Sequence, residues 1–461
     1  MDEPFRTMPL AGWGRYKPVP CQVCRPERRD ALLALLNGGA PGPVLARGLG
    51  RGYGDTAVNR EGSVIDMSRL NRLRSFDPET GELECEPGVS LSEIIELFQP
   101  RGWFPAVVPG TRFITVGGAI AHDVHGKNHH RDGSFSSFVD SIDLWTPALG
   151  VVTCSPTQNA DVFWATAGGA GLTGVILSAR LRLRRVESAY VSADYQRCAN
   201  IDAALEAFDT TDEDYTYSVA WVDCLATAGS LGRSVLMRGN PAAPSQLPPG
   251  PAGKPLHTPH RFNATVPFDF PPFVLNPLSI RAFNETFYAM NRPVKGKWVD
   301  YEKYFFPLDR ILHWNRMYGK RGFVQYQATF PPEGRAGLRV MLERCSLARR
   351  ASFLAVLKKF GDAGKGMLSH PMRGYTLTLD IANAPGLVPF LGELDRILLD
   401  HGGRLYLAKD TAAAPETIAA MYPRLDEFRS VLRRVDPDGR LDSDLARRTG
   451  IGLPAREAQN V

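Results

Sequence analysis

Residues 115–130, TVGGAIAHDVHGKNHH, hold the densest set of groups able to do chemistry in this chain. Gly117 and Gly118 lack a Cβ, so backbone there can approach a bulky ligand. Free N–H groups on such a turn can hold phosphate or ring carbonyl oxygens. Thr115, Val116 and Ala121 flank the glycine pair, and His125 then supplies a titratable ring. Lys127 adds a cation between Gly126 and Asn128. The set suits a cofactor that carries both a pyrophosphate and a planar, electron-accepting ring. The competing reading is a buried glycine turn beside a solvated histidine cluster. In either case His129 and His130 are expected on the rim or the surface.

A second glycine segment comprises Ala46, Arg47, Gly48, Leu49, Gly50, Arg51, Gly52, Tyr53, Gly54 and Asp55. It follows a short apolar run, which invites a dinucleotide-fold reading. That fingerprint needs glycines at offsets zero, two and five. From Gly48 the third position is Tyr53 and from Gly50 it is Asp55, so both frames fail. Alternating glycines instead predict a loop of repeated unusual φ values, a nest of N–H groups for an anion. A plain tight turn is the alternative, although four glycines in seven residues exceed what one turn needs.

These loops need elements to position them. Leucines at 32, 33, 35 and 36 predict a helix over 28–36. Residues 63–66 read as a strand, and 90–98 as a helix capped by Ser90 or Ser92. Residues 174–184 end in strand-like alternation. Helices and strands interleave in an α+β order without internal repeats. Between 241 and 280 stand eleven prolines, which disrupt helix interiors and sheet ladders alike. This stretch is expected to be an extended, mobile excursion, a lid or binding element. Its apolar end, residues 268–277, can meet a lipid chain or simply pack on the nearest domain.

The chain has 461 residues, 44% hydrophobic and 22% charged, as expected for a two-domain globular protein. A net charge of +5 is too small to argue for nucleic acid. No apolar run reaches the roughly 18 residues of a membrane span, and no basic-then-apolar leader opens the chain. Cytoplasmic synthesis is therefore expected, compatible with peripheral membrane contact or a cell-envelope (periplasmic-face) location. Seven cysteines argue against a disulfide scaffold. The close pair Cys21 and Cys24 has no second pair at zinc-finger spacing, so no metal is expected.

The loop 46–55, the segment 109–118 and the block 123–130 resemble the flavin-binding motifs of the vanillyl-alcohol-oxidase superfamily. Within it they are most similar to the decaprenylphosphoryl-β-D-ribose oxidases. Further matches at 163–169, 171–175, 323–327, 405–410 and 421–427 extend the likeness over nearly the whole chain, with 239 to about 298 the weak part. The resemblance implies an α+β, two-domain PCMH-type FAD-binding fold with an antiparallel-sheet substrate domain. The implied boundaries are 1–188 for FAD binding and 189–403 for substrate binding, the latter holding the mobile segment 239–280. Residues 404–461 are implied to return to the FAD domain.

The resemblance also implies roles for individual residues. Gly110, Thr111, Val175, Ile176 and Tyr406 join the two glycine segments as cofactor contacts. Lys409 stands where these oxidases have a required lysine, either as base or as stabiliser of developing negative charge. Its alternative is a surface ion pair with Asp410. Tyr53 occupies the position at which related oxidases carry a flavin-linking histidine, so FAD is expected to be non-covalent. His125 is expected to help form the flavin and substrate pocket. Trp221, Gln325, Gln327, Lys358, Thr376, Thr378 and Asp380 match substrate-pocket positions. Lys358 beside Lys359 also reads as a solvated helix face. Thr378 replaces a reactive pocket cysteine, Thr376 an asparagine and Phe305 a tyrosine.

The implied reaction is oxidation of the 2′-hydroxyl of decaprenylphosphoryl-β-D-ribose to the 2′-ketone. A separate NAD(P)H-dependent reductase would complete epimerisation to the arabinose donor for cell-wall arabinan (arabinogalactan). One alternative is a superfamily oxidase of a small free polyol or aldonolactone that uses dioxygen. Another is a flavin-binding scaffold without turnover.

Overall fold

The computed structural model describes residues 5–259, 262–271, 273–350, 352 and 354–453. Alternation places Ala179, Leu181 and Leu183 inside and Arg180 and Arg182 outside along the strand Val175–Arg185. This strand lies at the centre of an antiparallel sheet, against Glu82–Cys85, Val139–Thr146 and Trp103–Pro105. Arg180 on the outer face pairs with Glu84 of the neighbouring strand at 3.1 Å. The helix Leu91–Phe98 packs beneath, started by a reciprocal cap in which Ser90 and Glu93 each satisfy the other's backbone N–H. The helix expected over 28–36 runs regularly only over Arg29–Ala34. It then widens into a turn over Leu35–Gly39 because Gly38 takes φ 134.

A smaller sheet comes first, ordered Arg6–Leu10, Val19–Cys24, Ser63–Asp66, Val44–Arg47. Its last three strands run parallel, so the glycine loop leaves from the end of Val44–Arg47. The chain's last described segment closes on this sheet. Leu441 packs with Val44 and Val175, and Val44 N–H donates to the Arg440 carbonyl at 2.7 Å.

The third sheet is larger and wholly antiparallel. Its order is Val294–Asp300, Tyr190–Cys198, Ser234–Pro241, Tyr217–Val222, Ala355–Phe360, Gly374–Ala382, Phe323–Phe330, Arg404–Leu405. The helices Ile201–Thr211, Ala336–Leu347 and Leu387–Asp400 bury their leucines against Ala220, Leu236, Leu357, Leu377 and Leu379 in one core. The architecture is α+β, as expected.

The proline-rich stretch leads from one edge region of this sheet. Beyond Pro241, its described residues form one short ladder, the two-residue pairing of Ala264–Thr265 with Ile311–Leu312. The stretch also holds the single turns Pro244–Gln246 and Pro249–Ala252, and a longer helix follows at Pro277–Met290, where Pro277 opens the first turn and Asn276 accepts from Leu278 N–H at 2.8 Å.

Candidate active site

Antiparallel register settles which side chains meet. Trp221 lies opposite Val356, Val356 opposite Thr378, and Thr378 opposite Gln327. Two residues further along the strands, Lys358 lies opposite Thr376, and Asp380 lies opposite Gln325. Directly opposed residues share a face, as do residues two apart. All seven expected substrate positions therefore lie on one face of the large sheet, the face away from the helices. The strand Ala355–Phe360 also corrects the helical reading of Lys358 and Lys359. Consecutive strand residues point oppositely. Lys359 accordingly reaches the helix side, donating to the Phe208 carbonyl at 3.1 Å, while Lys358 faces the pocket.

The pocket face is bonded into a network. Gln325 donates to Asp380 Oδ1 at 2.5 Å. Gln327 lies 2.8 Å from His125 Nε2 and donates to Thr376 Oγ1 at 3.2 Å. Tyr406 N–H donates to the Gln327 carbonyl at 3.0 Å, which brings the next turn against the sheet. Lys409 ends that turn, with Nζ 3.9 Å from the centre of the Tyr53 ring. Asp410 does not pair with it. Arg448 takes Asp410 at 2.8 Å and Asp55 at 2.7 Å, clamping the glycine loop to the C-terminal segment. Asp55 therefore serves this clamp.

Three lysines gather here. Burial pushes Lys409 down to about 7, with Asp380 opposing and Lys358 adding to the shift. Burial takes Lys358 to about 8. Lys127 goes to about 7 by burial and by Lys358. Burial raises Asp380 to about 7, against the Gln325 hydrogen bond and Lys409. Burial also holds His125 well below its usual range, aided by Lys358. Lys127 donates to the carbonyl of Phe305 at 3.1 Å and lies over the Phe305 ring, 5.6 Å from its centre.

The glycine segments work differently from the sequence expectation. Of Gly48, Gly50, Gly52 and Gly54, only Gly50 has positive φ, at 62. A Cβ on Gly48 would strike Thr115, on Gly52 Thr56, and on Gly54 the Asp410 carbonyl. These glycines chiefly permit close packing of chain on chain. The N–H groups of the second segment are taken: Val116 donates to Val89, Gly117 to Pro87, and Gly118 to the capping hydroxyl of Thr115. By contrast, no partner among the described residues takes the N–H groups of residues 49–52.

Several of the expected cofactor contacts also hold the protein itself together. Arg47 holds the carbonyls of Ala57 and Ala11. Val175 buries its side chain in the core with Leu441. Asn128 donates to Ala106 and Asp132, and Thr111 accepts from Phe113 N–H. Arg51 stacks on Trp13 at 3.9 Å. His129 is not on the rim: it is 2% exposed and rests on Phe360. The His130 side chain is buried beside Asp212 as well.

Two residues escaped the sequence reading. Asp123 takes φ 40 and accepts from Ser134, Ser136 and Ser369, fixing the turn that aims His125. The serines at 134 and 136 were a local signal for it; Ser369 was not. His370 is fully buried, 2.9 Å from the Thr329 hydroxyl and stacked on Tyr406. Nothing in its sequence neighbourhood marks it.

Residues 20–155 match the family described as FAD binding domain, and 381–449 that described as D-arabinono-1,4-lactone oxidase. The decaprenylphosphoryl-beta-D-ribose oxidase of Mycolicibacterium smegmatis is 40% identical over 455 residues, 96% of this chain and 98% of that protein. The chain belongs to the decaprenylphosphoryl-β-D-ribose oxidase family. An uncharacterized Streptomyces coelicolor protein is 34% identical over 79% of the chain and its own full length. The delta(24)-sterol reductase of Rattus norvegicus is 27% identical over 38% of the chain and 33% of its own.

Like its family, the chain is an FAD-dependent oxidoreductase. Its residues fit that cofactor. The free N–H groups of 49–52 suit a pyrophosphate. A side chain at Gly110 would enter open space, and one at Gly118 would meet only the Thr115 hydroxyl. Both positions leave room for a planar ligand. Among the described residues no helix is long and apolar enough to cross a membrane.

Proposed function

We propose that this protein oxidises the 2′-hydroxyl of decaprenylphosphoryl-β-D-ribose to a 2′-ketone, the first half of an epimerisation towards an arabinose donor for cell-wall arabinan. The observation that carries this reading is the convergence of Lys127, Lys358 and Lys409 on a sheet face lined with amides and hydroxyls. Three partly dehydrated ammonium groups suit a phosphate, and Gln325, Gln327, Thr376 and Thr378 suit sugar hydroxyls. When bound, FAD supplies the two-electron acceptor for the carbon-bound hydrogen.

Lys409 sits near neutrality in its free and protonated forms, so its amine can take the hydroxyl proton. Protonated, it stabilises negative charge in the same place. His125, held by Gln327 and kept neutral, orients the sugar without competing for charge. Lys358 has no hydrogen-bond partner among the described residues, which leaves it for the phosphate. Tyr53, packed under Lys409, supports non-covalent cofactor binding because a phenol cannot make a histidyl link. We further propose a NAD(P)H-dependent reductase as functional partner and peripheral contact with a membrane that presents the lipid-linked sugar.

A second reading, oxidation of a small free polyol or aldonolactone by dioxygen, draws on the match of residues 381–449 to the lactone oxidases. Anaerobic bleaching of the purified protein's flavin absorbance separates the two. Bleaching by a short-chain prenyl-phosphoryl ribose alone upholds the first reading; bleaching by the free polyol alone replaces it with the second.

A further inference from the structure

Behind the pocket lies a run of buried polar atoms that have no hydrogen-bond partner among the described residues. It comprises His125 Nδ1, both ring nitrogens of His129, His130 Nδ1 and both carboxylate oxygens of Asp212. The run is spatially ordered. His125 and His129 rest on the same ring, Phe360, with centroids 4.7 and 4.6 Å away. His130 follows directly, and its Nδ1 lies 3.7 Å from Asp212 Oδ2, too far for a direct hydrogen bond. Asp212 is 1% exposed, but Glu213 and Asp214 after it are solvent-exposed. The run thus leads from Gln327, along the seam between the 123–130 block and the large sheet, to Asp212, next in the chain to the exposed Glu213 and Asp214.

An unpaired buried polar atom costs about 1–3 kcal/mol, so native proteins satisfy such atoms with ordered water. Imidazole can accept a proton at one nitrogen and release one from the other. A relay ring needs both nitrogens available, and His129 offers both. His125 Nε2 is taken by Gln327 and His130 Nε2 donates to the Tyr215 carbonyl at 2.9 Å, so each of those rings has only its Nδ1 left to hold a bridging water. Oxidation of an alcohol also obliges the site to dispose of one proton per turnover.

We propose that His129, together with water held by His125 Nδ1, His130 Nδ1 and the Asp212 carboxylate, forms the exit route for the proton released from the substrate hydroxyl. The inference rests on the oxidation proposed above. The O–H bond breaks and its proton passes by way of the pocket to the relay and then to solvent. The C–H hydrogen leaves with its electron pair to the acceptor already named, and the C=O bond forms. The charged groups facing the relay are compatible with transport. Lys358 and Lys409 face His125, Lys358 and Asp362 face His129, and Lys359 and Arg238 face Asp212. Burial, with Lys358 adding to it, keeps His125 and His129 from trapping a proton, and Asp212 draws it outward.

The test uses the holoenzyme with a short-chain prenyl-phosphoryl ribose in stopped flow, in H2O and D2O. His129→Phe and Asp212→Asn should slow flavin reduction by at least about tenfold, with an enlarged solvent isotope effect and little change in substrate affinity. Added imidazole should restore part of the rate in His129→Ala, where the deleted ring leaves room for it. His129→Gln, which keeps a polar side chain, guards against loss of folding and should be slow as well. Wild-type rates and isotope effects in folded variants would overturn the relay. A crystal structure gives a readout independent of activity. Ordered waters joining His125, His129 and His130 uphold the route, and a dry seam overturns it. Should the wild-type flavin not bleach with the lipid-linked sugar, the oxidation reading fails, and the seam waters alone decide whether the route exists.

Discussion

The two faces of the large sheet are built from the same strands and buried to similar extents, yet they do opposite things. Along Gly374–Ala382, Leu377 and Leu379 point to the helices, whereas Thr376, Thr378 and Asp380 point to the pocket. On the helix side, burial removes apolar surface from water and stabilises the fold. On the pocket side, burial removes amides, hydroxyls and ammonium groups from water, which destabilises unless each is paired. Gln325, Gln327 and Thr376 find partners. Among the described residues, the His125 Nδ1 atom has no partner and no hydrogen bond is made by the Lys358 ammonium. Incomplete pairing on one face, supported by dense packing on the other, marks where binding energy is kept in reserve for a ligand.

The comparison breaks most readily at Lys409. Lys409→Ala should keep the flavin spectrum and lose substrate-driven bleaching by about 10²–10⁴-fold; full turnover in that variant would remove the residue from the chemistry. On the opposite face, Leu377→Ala should cost about 2–5 kcal/mol in urea unfolding. Thr376→Val, one position away on the pocket face, should spare stability and impair sugar binding. Equal stability losses for the two would erase the contrast between faces.

Acidity gives a finer cut. With Lys409 at about 7, its neutral form is lost as pH falls. The limiting rate of reduction should therefore drop about tenfold per unit well below pH 7 if the lysine is the base. A flat profile from pH 5.5 to 8.5 would leave it only a charge-stabilising role. His125 stays neutral across this range and adds no second limb.

The smallest effect is expected from Lys358→Met. Burial lowers the folded pKa to about 8, below the roughly 10.4 of an unfolded lysine. Below pH 8 both states carry the proton, and the folded state bears the full burial penalty. Between the two values only the unfolded state holds it, so wild-type stability rises with pH there. The Met variant should therefore melt a few degrees higher at neutral pH, with the advantage fading towards pH 10, while substrate binding weakens. A lower melting temperature at neutral pH would mean that Lys358 is paired in the protein.

What the sequence determined by itself is what neighbouring residues decide among themselves. Ser90 and Glu93 cap a helix within four residues, alternation sets the faces of Val175–Arg185, and glycines exclude side chains where the chain must pass closely. The motif likeness pointed to the FAD-binding family and named seven residues that the structure puts on one sheet face. The tertiary structure decided everything that depends on a distant partner. It gave the N–H groups of Gly117 and Gly118 to the chain and left those of 49–52 without a partner among the described residues. It turned a supposed helix face into a strand, which separated Lys358 from Lys359, and it put Lys409 over Tyr53 and Arg448 between Asp55 and Asp410. It also buried His129, because a polar ring shows its environment only when the opposing sheet is in place. Hydrogen-bond donors and charges are written in the sequence; whether they are satisfied is a property of the fold, since burial and pairing arise from residues far apart along the chain.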